Sequence, residues 1–116
     1  MKELKKYMDR VNASFIRDNN CKSPIGVSAF SKRKRIQYDN TLQGYYDWIV
    51  KNIVPIKEKL VPTYRYVGEW LVPHEITYKE ECYNFYLFGI WDEETEEYLP
   101  DDLVMFEAAR LGLNKV

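Results

Sequence analysis

Two segments between Tyr64 and Asp92 constrain the fold of this chain more than any other stretch. Each is rich in aromatic and β-branched residues that alternate with a period of two, and a polar connector separates them. Such alternation predicts two β-strands of a half-buried sheet. In the first segment Glu69 follows Gly68 and shares a face with apolar residues, where a carboxylate is costly unless the face is wet or the charge is paired. The pattern leaves two interpretations of Glu69 open, a residue on a solvated face or a functional carboxylate.

The residues of this block resemble those of a known family. The run Tyr-Val-Gly-Glu-Trp, followed by Tyr-Asn-Phe-Tyr-Leu-Phe-Gly-Ile, resembles the phage-type RNA ligases of the covalent nucleotidyltransferase superfamily. The resemblance implies that Glu69 contacts the ribose of a bound nucleotide and that the ring of Phe88 stacks on its adenine. It also implies an α+β fold, with residues 1–116 forming a single truncated RNA ligase-like nucleotidyltransferase domain, an antiparallel sheet with flanking helices.

The N-terminal residues depart from the family at the position of its nucleophile. In the resembling ligases the motif Lys-x-Asp-Gly-x-Asn supplies the lysine that attacks the α-phosphate of ATP. Here Tyr7 stands in the place of the lysine and Arg10 in that of the glycine, whereas Asn12 fits the motif. A phenol is a poor nucleophile at neutral pH, and Lys5 and Lys6 do not occupy the lysine position. The motif therefore predicts an inactive chain in which Arg10 and Asn12 remain as RNA- or nucleotide-binding residues.

A run of cations follows a predicted strand over residues 26–31. The run consists of Lys32, Arg33, Lys34 and Arg35. The resembling family often has a Ser-Arg pair near the phosphates at this place, and consecutive cations are a ready contact for RNA or nucleotide phosphates. The alternative interpretation is the solvated tip of a hairpin.

The two halves of the chain differ in charge. Residues 1–66 carry 14 Lys and Arg against 6 Asp and Glu, whereas residues 67–116 carry 3 against 12. The division indicates a polyanion-binding side and an acidic side, or two halves that attract each other across the fold.

Three further elements follow from the pattern. Residues 10–17 alternate as a strand, and Thr41 can cap a helix with an apolar stripe expected to face the core. A second helix is opened by Pro100 and ended by Gly112. The stripe of the first helix consists of Leu42, Tyr45, Tyr46, Ile49 and Ile53, widened by Trp48 and Val50.

The resembling ligases continue past the second helix into strands that carry a Glu-Gly motif for the metal and a Lys-x-Lys motif for the phosphates. Neither motif follows here, and Gly89 replaces an aspartate that usually follows the stacking phenylalanine. Without those strands we expect an open sheet edge, closed by the chain itself, by a second copy or by another protein.

The remaining sequence features argue against membrane-spanning, secreted, zinc-binding and disulfide-rich classes of protein. No apolar run approaches the ~20 residues that a membrane span requires, and the N-terminus lacks the apolar region of a secretion signal. Cys21, Cys82 and His74 have no zinc-site spacing, and a disulfide framework is not indicated. We therefore expect a cytoplasmic protein with reduced thiols, with no metal and no cofactor.

These features together predict a catalytically inactive RNA ligase-like protein that binds RNA. Many resembling ligases are phage-encoded and mend RNA broken by host defences. A phage-encoded protein of this kind would act in the host cytoplasm as an inhibitor of an RNA-handling defence complex, such as a CRISPR effector. The alternatives are a split nucleotidyltransferase completed by a partner chain, and an interaction module without RNA contact. We expect a homodimer or a stable complex with another protein.

Overall fold

A computed structural model describes residues 8–31, 34–36, 44–73 and 84–115, and the strands among them form a single sheet. The strands are β1 (Met8–Arg17), β2 (Val27–Ser31), β3 (Lys34–Ile36), β4 (Tyr64–Pro73), β5 (Asn84–Asp92), β6 (Glu97–Tyr98) and β7 (Asn114–Lys115). The order is β3-β2-β1-β4-β5-β6, with every pair along this path antiparallel, and β7 pairs parallel to β5. The predicted α+β class and the two central strands are confirmed.

Two helical stretches accompany the sheet. Helix α1 (Tyr45–Trp48) continues through a π-helical segment (Ile49–Ile53) into a 3₁₀ segment (Val54–Lys59), and α2 spans Asp101–Leu111. The helix predicted from Thr41 is confirmed from Tyr45 onward, whereas Thr41 and Leu42 lie outside the described residues. Val50 is 38% exposed, so its assignment to the apolar stripe was wrong. Helix α2 ends as predicted at Gly112, whose φ of 72° is a left-handed conformation that glycine adopts without strain.

Both helical stretches contribute to a core on one face of the sheet, which we call the inner face. Large aromatic side chains dominate it, because each ring removes much apolar surface from water. Phe15 stacks on Tyr66 with 5.2 Å between ring centroids, and Trp48 stacks on Phe85 at 5.4 Å. The buried sheet residues of the inner face are Ala13, Phe15, Val27, Ala29, Ile36, Tyr66, Trp70, Phe85, Leu87 and Ile90.

Polar groups inside this core are hydrogen-bonded. The hydroxyl of Tyr45 donates to the backbone carbonyl of Ser14 at 2.8 Å, and the hydroxyl of Tyr66 donates to Oε1 of buried Glu107 at 3.1 Å. Glu107 is also paired with Arg110 on α2 at 2.6 Å. Burial raises the pKa of Tyr45, and burial together with the Glu107 carboxylate raises the pKa of Tyr66. These bonds fasten α1 to β1 and α2 to β4.

The free edge of β5 is partly covered by the chain itself, which is one of the three ways of closing it that were expected from the sequence. After β5 an acidic turn at residues 93–96 reverses the chain, so that Trp91 pairs with Tyr98 in β6. Gly112 reverses it again, so that Tyr86 pairs with Asn114 in β7. Two-residue strands are too short to show alternation, which is why the sequence pattern did not indicate β6 and β7.

Candidate nucleic-acid interface

The face of the sheet opposite the helices, which we call the outer face, carries polar and aromatic residues. Side chains alternate across a strand, so these residues point away from the core that holds their neighbours. The outer face is defined by Asn12, Ser14, Phe30, Arg35, Arg65, Glu69 and Tyr86.

A row of three residues crosses the middle of the outer face. Asn12 of β1 is in register with Glu69 of β4, and Glu69 is in register with Tyr86 of β5. Directly opposed residues of antiparallel strands have Cβ atoms roughly 4.5–5.5 Å apart. The sequence-predicted residues Asn12 and Glu69 are therefore neighbours, and Glu69 is half-buried between an amide and a phenol. This row offers hydrogen-bonding groups beside an aromatic surface.

Gly68 permits a close approach of β4 and β5 next to this row. A Cβ at Gly68 would overlap the backbone carbonyl of Tyr86 and lie 2.7 Å from the ring of Phe85. The register shifts here, because Val67 pairs with Gly89 whereas Gly68 pairs with Leu87. The shift is a β-bulge, a device that re-aims side chains.

The residue at this bulge is Phe88, whose ring is 52% exposed. It lines a shallow groove of about 290 Å³ at the junction of β5, β6 and α2. The exposed ring of Tyr98 lines the same groove, and a Cβ at Gly89 would lie only 3.5 Å from it. The groove thus presents two aromatic rings to solvent. One of them, Phe88, lies two residues after Tyr86 on β5. The remaining lining residues are Leu99, Asp101 and Val104.

A second cluster, which we call the Arg35–Phe30–Arg65 stack, lies beside the Asn12–Glu69–Tyr86 row. The guanidinium carbon of Arg35 is 5.0 Å from the centre of the Phe30 ring, and that of Arg65 is 4.6 Å from it. Both distances are within the range of a cation–π contact. Arg35 also donates to Oγ of Ser28 at 2.7 Å. Two cations are therefore held in fixed positions over one aromatic ring.

Sequence reasoning did not single out Phe30 or Arg65. Arg65 lies four residues before Glu69 on a strand, so the alternation of β4 already put both on the same face. Phe30 alternates with the buried residues of β2 in the same way. The missing information was long-range, because two strands separate Arg35 from Arg65 in the sheet order.

The other predicted site residues lie elsewhere on β1 and β3 or outside the described residues. Lys34 is exposed on β3, in register with Ser31. Arg10 is in register with Leu71, which places it on the strand that carries Asn12. Lys32 and Arg33 lie outside the described residues, as does His74.

The described residues contain no group of three His, Cys, Asp or Glu side chains that could hold a metal ion. Within the same part of the chain, no helix is long and apolar enough to cross a membrane.

The fold and this face define an α+β protein in which one antiparallel sheet has a packed inner face and a polar, aromatic and partly cationic outer face. The family model described as RNA ligase matches residues 8–116. The chain belongs to the RNA ligase family. Comparisons with curated proteins and with solved structures found no match.

Proposed function

We propose that this member of the RNA ligase family binds single-stranded RNA on the outer face of its sheet and does not join it. The observation that carries the proposal is the adjacency of the Asn12–Glu69–Tyr86 row and the Arg35–Phe30–Arg65 stack. Guanidinium groups bind phosphates without sequence preference, and exposed rings stack on bases for about 1–3 kcal/mol each. The outer face supplies both kinds of contact on a rigid sheet.

In this proposal Glu69 and Asn12 bind the sugar. A carboxylate and an amide carbonyl accept hydrogen bonds from ribose hydroxyls, and the 2′-hydroxyl is the group that distinguishes RNA from DNA. Phe88 supplies a ring for a base at the bulge, consistent with its large exposure.

Binding of RNA is tested by fluorescence anisotropy with a labelled 12-mer oligoribonucleotide and a deoxyribonucleotide of the same sequence. We expect the protein to prefer RNA, and Glu69→Ala to reduce the ratio of the two affinities several-fold. Glu58→Ala is the matched control, since it removes a carboxylate from the helical side of the molecule. Equal binding of RNA and DNA by the unchanged protein would contradict the sugar contact, and no binding of either would contradict the proposed function.

The absence of ligation in the proposal rests on the sequence at the nucleophile motif, where Tyr7 stands in place of lysine. We expect no covalent label when the purified protein is incubated with α-labelled ATP and magnesium or manganese, with an active RNA ligase as positive control. A phosphoramide-linked adenylate on Lys5 or Lys6 would contradict inactivity and favour a split nucleotidyltransferase completed by another chain.

The proposal includes a protein partner on the acidic side. Leu103, Met105 and Phe106 of α2 are 43–62% exposed, beside Asp101 and Asp102. Exposed apolar residues grouped in this way often mark protein contacts. They support either a homodimer or docking on a host RNA-handling defence complex, the role expected if the protein is phage-encoded. Sedimentation equilibrium over a hundredfold concentration range tests the homodimer, and a mass of 13.9 kDa throughout would exclude it.

A further inference from the structure

Arg65 makes two contacts that differ in kind. Its guanidinium carbon lies 4.6 Å from the centre of the Phe30 ring, and its Nε donates to Oε1 of Glu93 at 2.7 Å. Glu93 begins the turn after β5, where its backbone N–H donates to the carbonyl of Thr63 at 2.8 Å. The carboxylate is thereby anchored at the end of the outer face, beside the cation.

The stack keeps donors available toward solvent. Among the described residues, Arg65 donates from Nε alone, and Arg35 donates from Nη1 alone to Ser28. A guanidinium carries five N–H donors in a planar fork that matches the oxygens of a phosphate. The side chain of Arg65 is 30% exposed, so an anion can reach it, and the Glu93 carboxylate beside it is 41% exposed.

Two cations that contact the same ring also repel each other, because like charges interact unfavourably even near water. Glu93 offsets part of the charge of Arg65 through a direct ion pair. Asp18 lies close enough to Arg35 to interact with its charge. A phosphate that accepts hydrogen bonds from the remaining N–H donors of these guanidinium groups would offset their charge further.

We propose that the Arg35–Phe30–Arg65 stack binds a phosphodiester of an RNA strand, and that Glu93 competes with that phosphate for Arg65. This inference rests on the proposed function. It assigns a binding site for the RNA phosphate backbone to residues beyond the Asn12–Glu69–Tyr86 row. Glu93 holds Arg65 in its binding position in the absence of RNA and lowers the affinity of the site at the same time.

The test uses anisotropy titrations of the full chain with a labelled 12-mer oligouridylate. Arg65→Gln is expected to weaken binding about tenfold, the size of one lost charge-assisted hydrogen bond. Glu93→Gln is expected to strengthen binding about two- to fivefold, the size of one surface ion pair. In the Arg65→Gln background, Glu93→Gln is expected to have no further effect, because the competition no longer exists.

The Arg17–Glu58 pair is the matched control. It is an ion pair of the same kind, 3.0 Å long with Arg17 31% exposed, at the other side of the molecule from the stack. Arg17→Gln and Glu58→Gln change the net charge identically, so effects equal to those at Arg65 and Glu93 would show diffuse attraction and overturn the proposal. Independent effects of Arg65→Gln and Glu93→Gln in the double variant would overturn it as well.

A second arm separates an internal phosphodiester from a terminal phosphate. The effects of Arg65→Gln and Glu93→Gln are expected to be the same for 5′-hydroxyl and 5′-phosphorylated oligouridylate, and effects confined to the phosphorylated probe would contradict the assignment. If the unchanged protein binds RNA and both variants bind like it, this inference fails alone. If the unchanged protein binds no oligonucleotide, the proposed function fails and the inference with it.

Discussion

The inner and outer faces of the sheet are built from the same strands, and neighbouring residues of one strand lie in opposite environments, buried or accessible to solvent. On β1, Phe15 is fully buried among aromatic rings, whereas Asn12 on the other face is exposed. On β4, Trp70 is 1% exposed, whereas its neighbour Glu69 is half-buried on the outer face. The difference teaches that stability and the proposed RNA binding can be changed separately by substitutions one or three residues apart.

The largest expected effect is on the inner face. Phe15→Ala removes a fully buried ring that contacts Tyr66 and Phe85, and we expect it to lower the free energy of unfolding by about 3–5 kcal/mol. Urea denaturation followed by tryptophan fluorescence measures this. Asn12→Ala on the same strand is the control, expected to change stability by less than about 1 kcal/mol. If the two variants were equally unstable, the division between the faces would be wrong.

The second effect concerns the bulge that links the faces. Gly68→Ala places a Cβ against the backbone of Tyr86 and the ring of Phe85, so we expect a loss of about 1–3 kcal/mol and a change in the environment of Phe88. Gly89→Ala is the matched control, because its Cβ would make ordinary contact with Tyr98 at 3.5 Å. Urea denaturation of both variants checks the difference, and a Gly68→Ala protein as stable as Gly89→Ala would contradict the close approach of β4 and β5.

The third effect is a pH dependence of the inner face. Burial raises the pKa of Tyr45 above its ordinary value of 10.0, so the folded protein retains a proton that the unfolded chain loses. Its contribution to stability is therefore complete below pH 10 and is lost as the pH rises above 10, at about 1.4 kcal/mol per pH unit. Tyr45→Phe should flatten the alkaline slope of the unfolding free energy by this amount. A slope identical to that of the unchanged protein would contradict the buried hydroxyl.

The smallest expected effect on stability is at the edge strand β3, where Lys34 is exposed. Lys34→Ala should leave the urea midpoint unchanged but reduce the slope of log affinity for RNA against log salt by about one unit, if Lys34 contacts a phosphate. Lys51→Ala, on the π-helical segment, is the control and should leave the slope unchanged. A similar decrease for both lysines would indicate diffuse attraction in place of a site.

Much of the fold could be predicted from local pattern. Alternation identified β1, β2, β4 and β5, and the Pro100 and Gly112 signals bounded α2. Two-residue strands have no period, so β6 and β7 could not be recognised. Residues of the candidate site were predictable where the family motif supplied them, as at Glu69, or where the run of cations did, as at Arg35. Arg65 and Phe30 meet across one intervening strand, β1, and that contact depends on sheet order, which no local pattern contains.

The central claim is that RNA contacts the outer face, and backbone NMR of the ¹⁵N-labelled protein titrated with oligouridylate tests it most directly. We predict that the largest amide shift changes fall on outer-face residues, with Asn12, Phe30, Arg65 and Tyr86 as reporters, and that the exposed side of α2 around Phe106 changes little. Changes concentrated on α2, or no changes at saturating oligonucleotide, would contradict the claim.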